Sequence, residues 1–332
     1  MTAGRVVGAV GGTAGIAGLA ALAGRYARAT AAADRSWATR VDRRLAGLGE
    51  VDGVTILPLV ERLTSDGPAG GRLLGEAGLS YLVRAGDTTL LFDTGLNMRG
   101  VDRPALVENA ATLGVDLPAV DGVVISHRHV DHVGGPGMMR QRTFGFSPEP
   151  MEPRGLSAYV PDREMTHGRA DVVPPDGPRV VAPGVAVMPP LPSALFFLGP
   201  VQEQAMVVNV RGFGLVVLTG CGHPPMERIL GVTEQVLDVP IRAVVGGLHL
   251  PVHAWGTALI PQAVLGNPHW PWRPISEADA RAVIEQLRAR GPRIVALSGH
   301  DSTPWTFDAF AAAFGDGYRT MRVGEELRIG AA

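Results

Sequence analysis

The fold of this chain is decided by the stretch SHRHVDH at residues 126–132. It directly follows the apolar run GVVI at 122–125, and such a run is typical of a short buried strand. Three imidazoles and one carboxylate therefore follow a strand end within six residues, where they can point towards one place: His127, His129, Asp131 and His132. These groups suit Zn²⁺, Fe²⁺ or Mn²⁺. The pattern favours an open metal centre over a closed structural zinc site.

The composition excludes several classes of protein. The chain has 332 residues, nine His, a single Cys at position 221, and 30 basic residues that are all Arg. One Cys allows no intramolecular disulfide and no Cys-rich zinc finger. The absence of Lys excludes Schiff-base chemistry, and a formal net charge of -2 gives no electrostatic basis for binding nucleic acid. A small-molecule substrate is the expected partner.

The N-terminal segment 6–24 contains no charged residue, and its 19 residues are close to the length of a membrane-spanning helix. It predicts an apolar helix that anchors the protein in a membrane. Six Arg residues follow the segment while one precedes it, so the catalytic domain would lie on the cytoplasmic side. A cleaved signal peptide, which would give a secreted protein, and a soluble cytoplasmic protein with a Gly/Ala-rich appendage are the alternatives.

The rest of the chain predicts one large domain. Residues 1–49 form the apolar segment and a basic helical linker with a helix over 31–49, and 50–330 form the domain. Strands such as 88–92, 214–219 and 294–297 come in runs, each run followed by a helix. This order in two successive halves predicts an α/β protein with two sheets covered by helices. Two irregular insertions are expected near 141–176 and 251–274.

The HxHxDH pattern at 127–132 resembles the signature of the metallo-β-lactamase superfamily, and the similarity extends over 54–323. The resemblance implies a four-layer αββα sandwich with a metal site along one edge of its sheets. LLFDTG at 90–95 is similar to the first motif of that family, which implies that Asp93 supports the metal-binding loop from behind.

Two later segments imply the remaining ligands. TGCGHP at 219–224 is similar to the third motif, which implies that His223 joins His127 and His129 on one metal ion. SGHD at 298–301 is similar to the last motif, which implies that His300 joins Asp131 and His132 on a second ion.

The fourth motif departs from the family pattern. Most members with two metals supply a bridging Asp there, but VVGGLHL at 244–250 contains no acid. This variant is similar to the branch that contains the 7,8-dihydropterin-6-methyl-4-(β-ribofuranosyl)aminobenzene-phosphate synthases, in which the His of this segment lies at the metal site. His249 is therefore a candidate ligand or acid–base group. A histidine bonded in the core or on a substrate loop is the alternative.

The resemblance predicts a metal-dependent hydrolase in which metal-activated water attacks an ester, lactone, amide or phosphoester. Two divalent ions are expected, with Zn the best fit and Fe or Mn open, and activity with one ion stays open because the bridging Asp is absent. Asp131 and His249 are the expected catalytic residues. The alternatives are a pterin-synthase-like transferase and a membrane-tethered binding protein without catalysis.

The sequence gives no role in the metal site to four other residues. Cys221, two residues before His223, is interpreted as a small residue packed behind the metal loop, with a nucleophile as the alternative. His167, His253 and His269 are assigned no role.

Overall fold

The computed structural model describes residues 3–39 and 43–331. Over these residues the helices are α1 (Ala3–Ala38), α2 (Ala105–Thr112), α3 (Pro136–Gln141), α4 (Met226–Val236), α5 (Ile260–Leu265), α6 (Glu277–Arg288) and α7 (Pro304–Phe314). The strands are β1 (Gly53–Val60), β2 (Ser80–Ala85), β3 (Thr88–Phe92), β4 (Gly122–Val124), β5 (Ser157–Tyr159), β6 (Asp171–Val173), β7 (Arg179–Ala182), β8 (Val185–Val187), β9 (Leu191–Leu195), β10 (Gly199–Glu203), β11 (Met206–Val210), β12 (Gly214–Thr219), β13 (Ile241–Gly246), β14 (Ile294–Leu297), β15 (Tyr318–Thr320) and β16 (Leu327–Gly330).

The strands form two seven-stranded sheets and one separate hairpin. The first sheet has the order β16-β1-β2-β3-β4-β5-β6, and the second has the order β15-β14-β13-β12-β11-β8-β7. The hairpin pairs β9 with β10. Strands β3 to β6 run parallel to one another, as do β12 to β15. The loops that follow parallel strands therefore leave each sheet at a common edge.

Alternating side chains produce the four layers. Ile56 of β1 and Val216 of β12 pack in the apolar cluster between the two sheets. Their neighbours Leu57 and Val217 point the other way, where Leu57 packs with α2 and Val217 packs with α4 and α6. Because strand side chains alternate between faces, each sheet is buried on both sides. The αββα sandwich predicted from the sequence is confirmed.

The helical linker predicted over 31–49 is wrong beyond Ala38, where α1 ends. Part of that prediction, 40–42, lies outside the described residues. From 43 to 50 the chain has no regular secondary structure and docks on the domain, with the Leu45 amide donating to the Val236 carbonyl and Leu48 buried in the core. Gly47 and Gly49 have φ of 74° and 71°, which a helix does not accommodate.

The membrane span predicted over 6–24 is not supported. No helix in the described part of the chain is long and apolar enough to cross a membrane. The segment contains six Gly and six Ala, which contribute little apolar surface for its length.

The two stretches predicted as irregular contain short elements. Strands β5 and β6 lie within 141–176, and α5 lies within 251–274. The strands β8, β9 and β10 were also not predicted. The three-residue strands β5, β6 and β8 and the six-residue helix α5 give too few periods of hydrophobic alternation to be recognised from the sequence. The five-residue strands β9 and β10 each contain a Pro, which weakens the strand signal.

Candidate metal centre

Six histidines meet where the loops after the parallel strands converge. His127, His129 and His132 follow β4, His223 follows β12, His249 follows β13 and His300 follows β14. The ring centroid of His127 lies 4.1 Å from that of His132 and 4.9 Å from that of His223. We call these six residues the histidine cluster. The sheet topology therefore brings together every histidine that the sequence proposed as a ligand.

One group of potential ligand atoms lies on the side of β14. It contains Asp131, His132, Cys221 and His300, with one ligand atom of each within 4.8 Å of the others. Cys221 Sγ lies 3.1 Å from His132 Nε2 and 3.2 Å from His300 Nε2. The sulfur thus lies between the two imidazoles, in the middle of the group.

A second group lies around His127 and His223, and Cys221 belongs to it as well. Within the described residues, His127 Nε2 and His223 Nδ1 are buried and have no hydrogen-bond partner. His129 Nδ1 lies 3.1 Å from His223 Nε2. Two imidazole nitrogens without a partner, from His127 and His223, therefore lie in one group with the sulfur, and His129 contacts His223.

His249 belongs to the histidine cluster and has a strained backbone conformation. Its φ is 49°, and its amide donates to Asp301 Oδ2 at 2.8 Å. His249 Nε2 lies 3.1 Å from the Gln262 carbonyl oxygen, to which it can only donate. Nδ1 is then the nitrogen with the lone pair, and it is buried without a partner among the described residues. Cys221, His249 and Asp301 form a third group of potential ligands.

Asp93 lies behind the loop that follows β4. Asp93 Oδ2 lies 2.7 Å from His132 Nδ1 and 2.6 Å from Ser126 Oγ, while Oδ1 accepts the Ser126 amide at 2.6 Å. This carboxylate fixes the rotamer of His132, so that Nε2 faces the cluster. The contact has the geometry of a carboxylate–histidine pair at a metal site.

Burial governs the protonation of the cluster. It lowers the pKa of His129 to about 3 and of His249 to about 4, and lowers it well below the ordinary value in His127, His223 and His300. Burial also lowers the pKa of His132, but Asp131 and Asp93 raise it more, to about 9. Five of the six imidazoles are therefore neutral, which is the form that binds metals.

The comparison with known proteins identifies the family. The family model described as the metallo-beta-lactamase superfamily matches residues 73–300. This chain belongs to the metallo-β-lactamase superfamily.

Individual relatives within that superfamily are distant. A 7,8-dihydropterin-6-methyl-4-(beta-D-ribofuranosyl)-aminobenzene-5'-phosphate synthase from Methanocaldococcus jannaschii is 22% identical over 246 residues, 62% of this chain and 81% of that protein. A solved metal-dependent hydrolase of the superfamily is 19% identical, with a TM-score of 0.57 over 84% of this chain and 100% of that one. The metallo-beta-lactamase fold protein YhfI from Bacillus subtilis is 16% identical, with a TM-score of 0.50 over 82% of this chain and 99% of that chain.

Two buried glutamates hold the loops of the histidine cluster and were not predicted from the sequence. Glu203 at the end of β10 accepts the amides of Cys221, Gly222 and His223 at 3.1, 2.7 and 2.9 Å. It thereby fixes the loop that presents two potential ligands. The short strand GPVQE gave no signal for this role, because its alternation of buried and exposed residues is visible only in the structure.

Glu61 likewise fixes the loop that follows β14 and carries His300. It follows β1 and accepts hydrogen bonds from Tyr81 Oη, from Ser298 Oγ and from the Gly299 amide. Burial raises the pKa of Glu61 to about 7, although these hydrogen bonds oppose the shift. Ser298 Oγ also contacts His300 Nδ1, so Glu61 acts on the orientation of His300 through one hydroxyl group.

The other three histidines lie outside the histidine cluster. His167 stacks on Phe144, His253 pairs with Glu277 at 3.0 Å, and His269 lies 3.9 Å from Asp279. The sequence assigned them no role, and the structure gives each a local partner.

The residues of the cluster fit a divalent metal. Three buried imidazole nitrogens in the described part of the chain lack a hydrogen-bond partner, and all three face other potential ligands. Nitrogen, oxygen and sulfur donors together suit Zn²⁺, and the nitrogen and oxygen donors alone also suit Fe²⁺ or Mn²⁺.

Proposed function

We propose that this protein is a metal-dependent hydrolase acting on an ester, lactone, amide or phosphoester through two divalent ions. The observation that carries the proposal is the convergence of six histidines, with three unpartnered buried nitrogens, at the edge of a metallo-β-lactamase sandwich. A structural site would be closed by its own ligands, whereas this one opens onto a cavity of about 340 Å³ lined by His223 and His249.

The proposed ligands divide into two sets. One ion would be held by His127, His129 and His223, and the other by Asp131, His132 and His300. Cys221 shares a group with members of both sets and is a further candidate ligand. Zn is the best-fitting metal. Bound there, the ions would supply Lewis-acid polarisation of the scissile bond and a water nucleophile at neutral pH.

Two residues are proposed to handle protons. Asp131 is the partly accessible carboxylate of the cluster, with 13% of its side chain exposed, so it can take a proton from the attacking water and pass it to the leaving group. His249 Nδ1 has a free lone pair at the cavity and is the second candidate, as a ligand or as an acid–base group.

A transferase like the dihydropterin phosphate synthases is the second candidate function. The similarity to the Methanocaldococcus jannaschii synthase favours it. In that case the same residues would hold the metals, while a phosphorylated sugar and a pterin would occupy the cavity. A protein that only binds a ligand is the third outcome of the experiments below.

Metal analysis joined to a substrate screen tests the proposal. We expect the purified protein to contain up to two Zn, Fe or Mn ions per chain by elemental analysis, and to hydrolyse members of an ester, lactone, amide and phosphodiester panel. The double variant His127→Ala/His129→Ala should lose both properties, while His253→Ala, at a surface histidine, should keep them. Full metal content in the double variant would refute the proposed site.

The screen also separates the alternatives. Bound metal and turnover of only the pterin and phosphorylated sugar pair would favour the transferase. Bound metal with no turnover of any class, together with tight binding of a ligand, would favour the binding protein.

A further inference from the structure

The cavity beside the histidine cluster has one wall that the metallo-β-lactamase match does not include. The cavity is lined by Thr30, Ala33 and Trp37 of α1 on one side and by His223, Leu248 and His249 on the other. The matched family segment begins at residue 73, so α1 lies outside it. We call this space the α1 cavity.

The contacts of α1 show that it is fixed in this position. Tyr26, Thr30, Ala33 and Trp37 recur at helical spacing and so share one face. Tyr26 Oη donates to the Pro268 carbonyl at 2.5 Å and Trp37 Nε1 donates to the Pro192 carbonyl at 2.9 Å. Ala33 is 2% exposed. The helix is held at two points on either side of the cavity.

The strand beneath α1 also contacts the metal centre. Pro192 belongs to β9, and the next residue, Ser193, donates from Oγ to the His223 carbonyl at 3.0 Å. Tyr26 packs against Phe196 at the end of the same hairpin, with ring centroids 5.6 Å apart. The hairpin β9–β10 therefore fixes α1 and the His223 loop relative to each other.

The lining of the α1 cavity favours an apolar guest. Trp37, Met226, Leu248 and Ile275 present apolar side chains to it. No Arg side chain is among the described residues that line it, whereas the carboxylates of Asp34 and Asp279 are. Phosphate groups are recognised mainly by Arg, Lys or helix N-termini. Among the described residues, the lining includes the first turn of α4 at Met226 but no Arg or Lys side chain, so it is the apolar side chains that favour an apolar guest.

Two residues of the histidine cluster, His223 and His249, also line this cavity. Within the described residues their Nδ1 atoms are buried and have no hydrogen-bond partner. These nitrogens are assigned above to metal binding or proton transfer, so a guest in the cavity would lie beside the proposed metal ions. Thr30 Oγ1 and Gln286 Oε1 are buried without a partner as well, and an acyl chain would not pair them.

We propose that α1 forms one wall of the substrate site and that the apolar acyl part of an ester, lactone or amide lies in the α1 cavity, with its carbonyl at the histidine cluster. This proposal rests on the hydrolase function proposed above. It assigns α1, outside the matched family segment, a role in choosing the substrate.

An acyl-length series measures the proposed selectivity. We expect kcat/KM of the metal-loaded full-length protein to rise from 4-nitrophenyl acetate through butyrate to octanoate, by up to about fourfold for each methylene that enters the cavity. Hydrolysis releases the carboxylate and 4-nitrophenol, so absorbance of the phenolate follows the reaction.

Trp substitutions on two walls of the α1 cavity test whether the acyl chain of the substrate lies there. Ala33→Trp on α1 and Ala282→Trp on α6 should each lower kcat/KM for octanoate at least about tenfold and change that for acetate less than about threefold. Ala33→Trp could lower activity by displacing α1, whereas Ala282→Trp changes the opposite wall and leaves α1 unaltered in sequence. Circular dichroism and metal content should match the wild type.

Leu198→Trp is the matched control. Leu198 lines a different cavity of about 410 Å³ that contains Arg128 and His129. We expect it to leave the preference for octanoate unchanged. Loss of that preference in Leu198→Trp alone, or hydrolysis by the wild type without dependence on acyl length, would overturn the proposal while the hydrolase function stands.

A binding measurement distinguishes an error in this proposal from an error in the proposed hydrolase function. If no ester is hydrolysed, calorimetry with octanoate, and with butyrate as the short control, tests the cavity alone. Octanoate that binds more tightly than butyrate, and no longer does so in Ala33→Trp, supports the α1 wall even without hydrolysis. Equal binding of the two acids, or binding that Ala33→Trp does not change, refutes it.

Discussion

Cys221 is the residue whose surroundings differ most from the interpretation based on sequence. Its neighbour His223 was the expected ligand, and the cysteine was expected to pack behind the loop. The structure instead places Sγ 3.1 Å from His132 Nε2 and 3.2 Å from His300 Nε2, on a loop fixed by Glu203. No bridging Asp follows β13, and Cys221 belongs to all three groups of potential ligands in the described part of the chain.

Cobalt substitution tests whether Cys221 binds the metal. We expect the Co²⁺-loaded protein to show a thiolate-to-metal charge-transfer band in the near ultraviolet, because the sulfur lies among the imidazoles that would hold the ion. Cys221→Ala should remove the band while His127, His129 and His223 retain at least one ion. An identical spectrum in the variant would show that the sulfur is not a ligand.

Asp93→Asn tests the carboxylate behind His132. The amide keeps the size of the side chain but loses the charge that orients His132 Nδ1 and the Ser126 amide. Loss of such a partner lowers metal affinity about 10–100-fold, which a titration with a competing chelator measures.

Asp121→Asn is the matched control for that change. Asp121 also accepts a backbone amide, from Thr89, but lies at the far end of β4 from the cluster. We expect its metal affinity to equal that of the wild type. Equal affinity in Asp93→Asn would mean that Asp93 serves only the fold of the loop.

At the scale of elements, the loops after β4 and β12 cross without space between them. A Cβ added at Gly220 would overlap Ser126 Oγ and lie 2.6 Å from Ser126 Cβ and 3.1 Å from His127 Nδ1. The close crossing brings His127 and His223 together from different sheets. Glycine is needed there because any side chain would separate the two loops.

Gly220→Ala should therefore destabilise the protein by about 1–3 kcal/mol, the usual cost of overpacking, and weaken metal binding. Chemical denaturation and chelator titration measure the two effects. Gly231→Ala is the control with the opposite sign. Gly231 lies inside α4 with nothing within 4 Å of an added Cβ, so the change should stabilise by about 0.5–1 kcal/mol.

The elements that the sequence predicted well are those with strong local signals. Strands β3, β12 and β14 begin and end at the predicted residues, because each is an apolar run bounded by turn residues. Helix α6 starts after Ser276 with the capping box formed by Ser276 and Asp279. The helix predicted over 31–49 was wrong beyond Ala38 because tertiary docking of 43–49 competes with local propensity.

At the scale of the whole molecule, the proposed metal ions would connect the two sheets. His127 and His132 follow β4 of the first sheet, whereas His223 and His300 follow β12 and β14 of the second. An ion shared between them would bind the folded state alone, since the unfolded chain separates residues 127 and 300.

Removal of metal should therefore lower the stability of the whole domain. Binding at a free metal concentration 1,000-fold above Kd stabilises by about 4 kcal/mol, so a chelator should lower Tm by several degrees. Calorimetry with and without chelator measures the change. The His127→Ala/His129→Ala variant should show a much smaller shift, and an equal shift in it would place the stabilising metal elsewhere.

The sequence by itself indicated two sheets covered by helices, because strand periodicity is a local property. Its resemblance to the metallo-β-lactamase superfamily implied the four-layer sandwich and the histidines that would meet at its edge, with His249 as a candidate. Only the tertiary structure decided that Cys221 lies among them, that Glu61 and Glu203 fix their loops, and that α1 walls the adjacent cavity. These contacts join residues that are far apart in the chain. Periodicity shows which face of a helix or strand is buried, but only tertiary packing decides which other element covers that face.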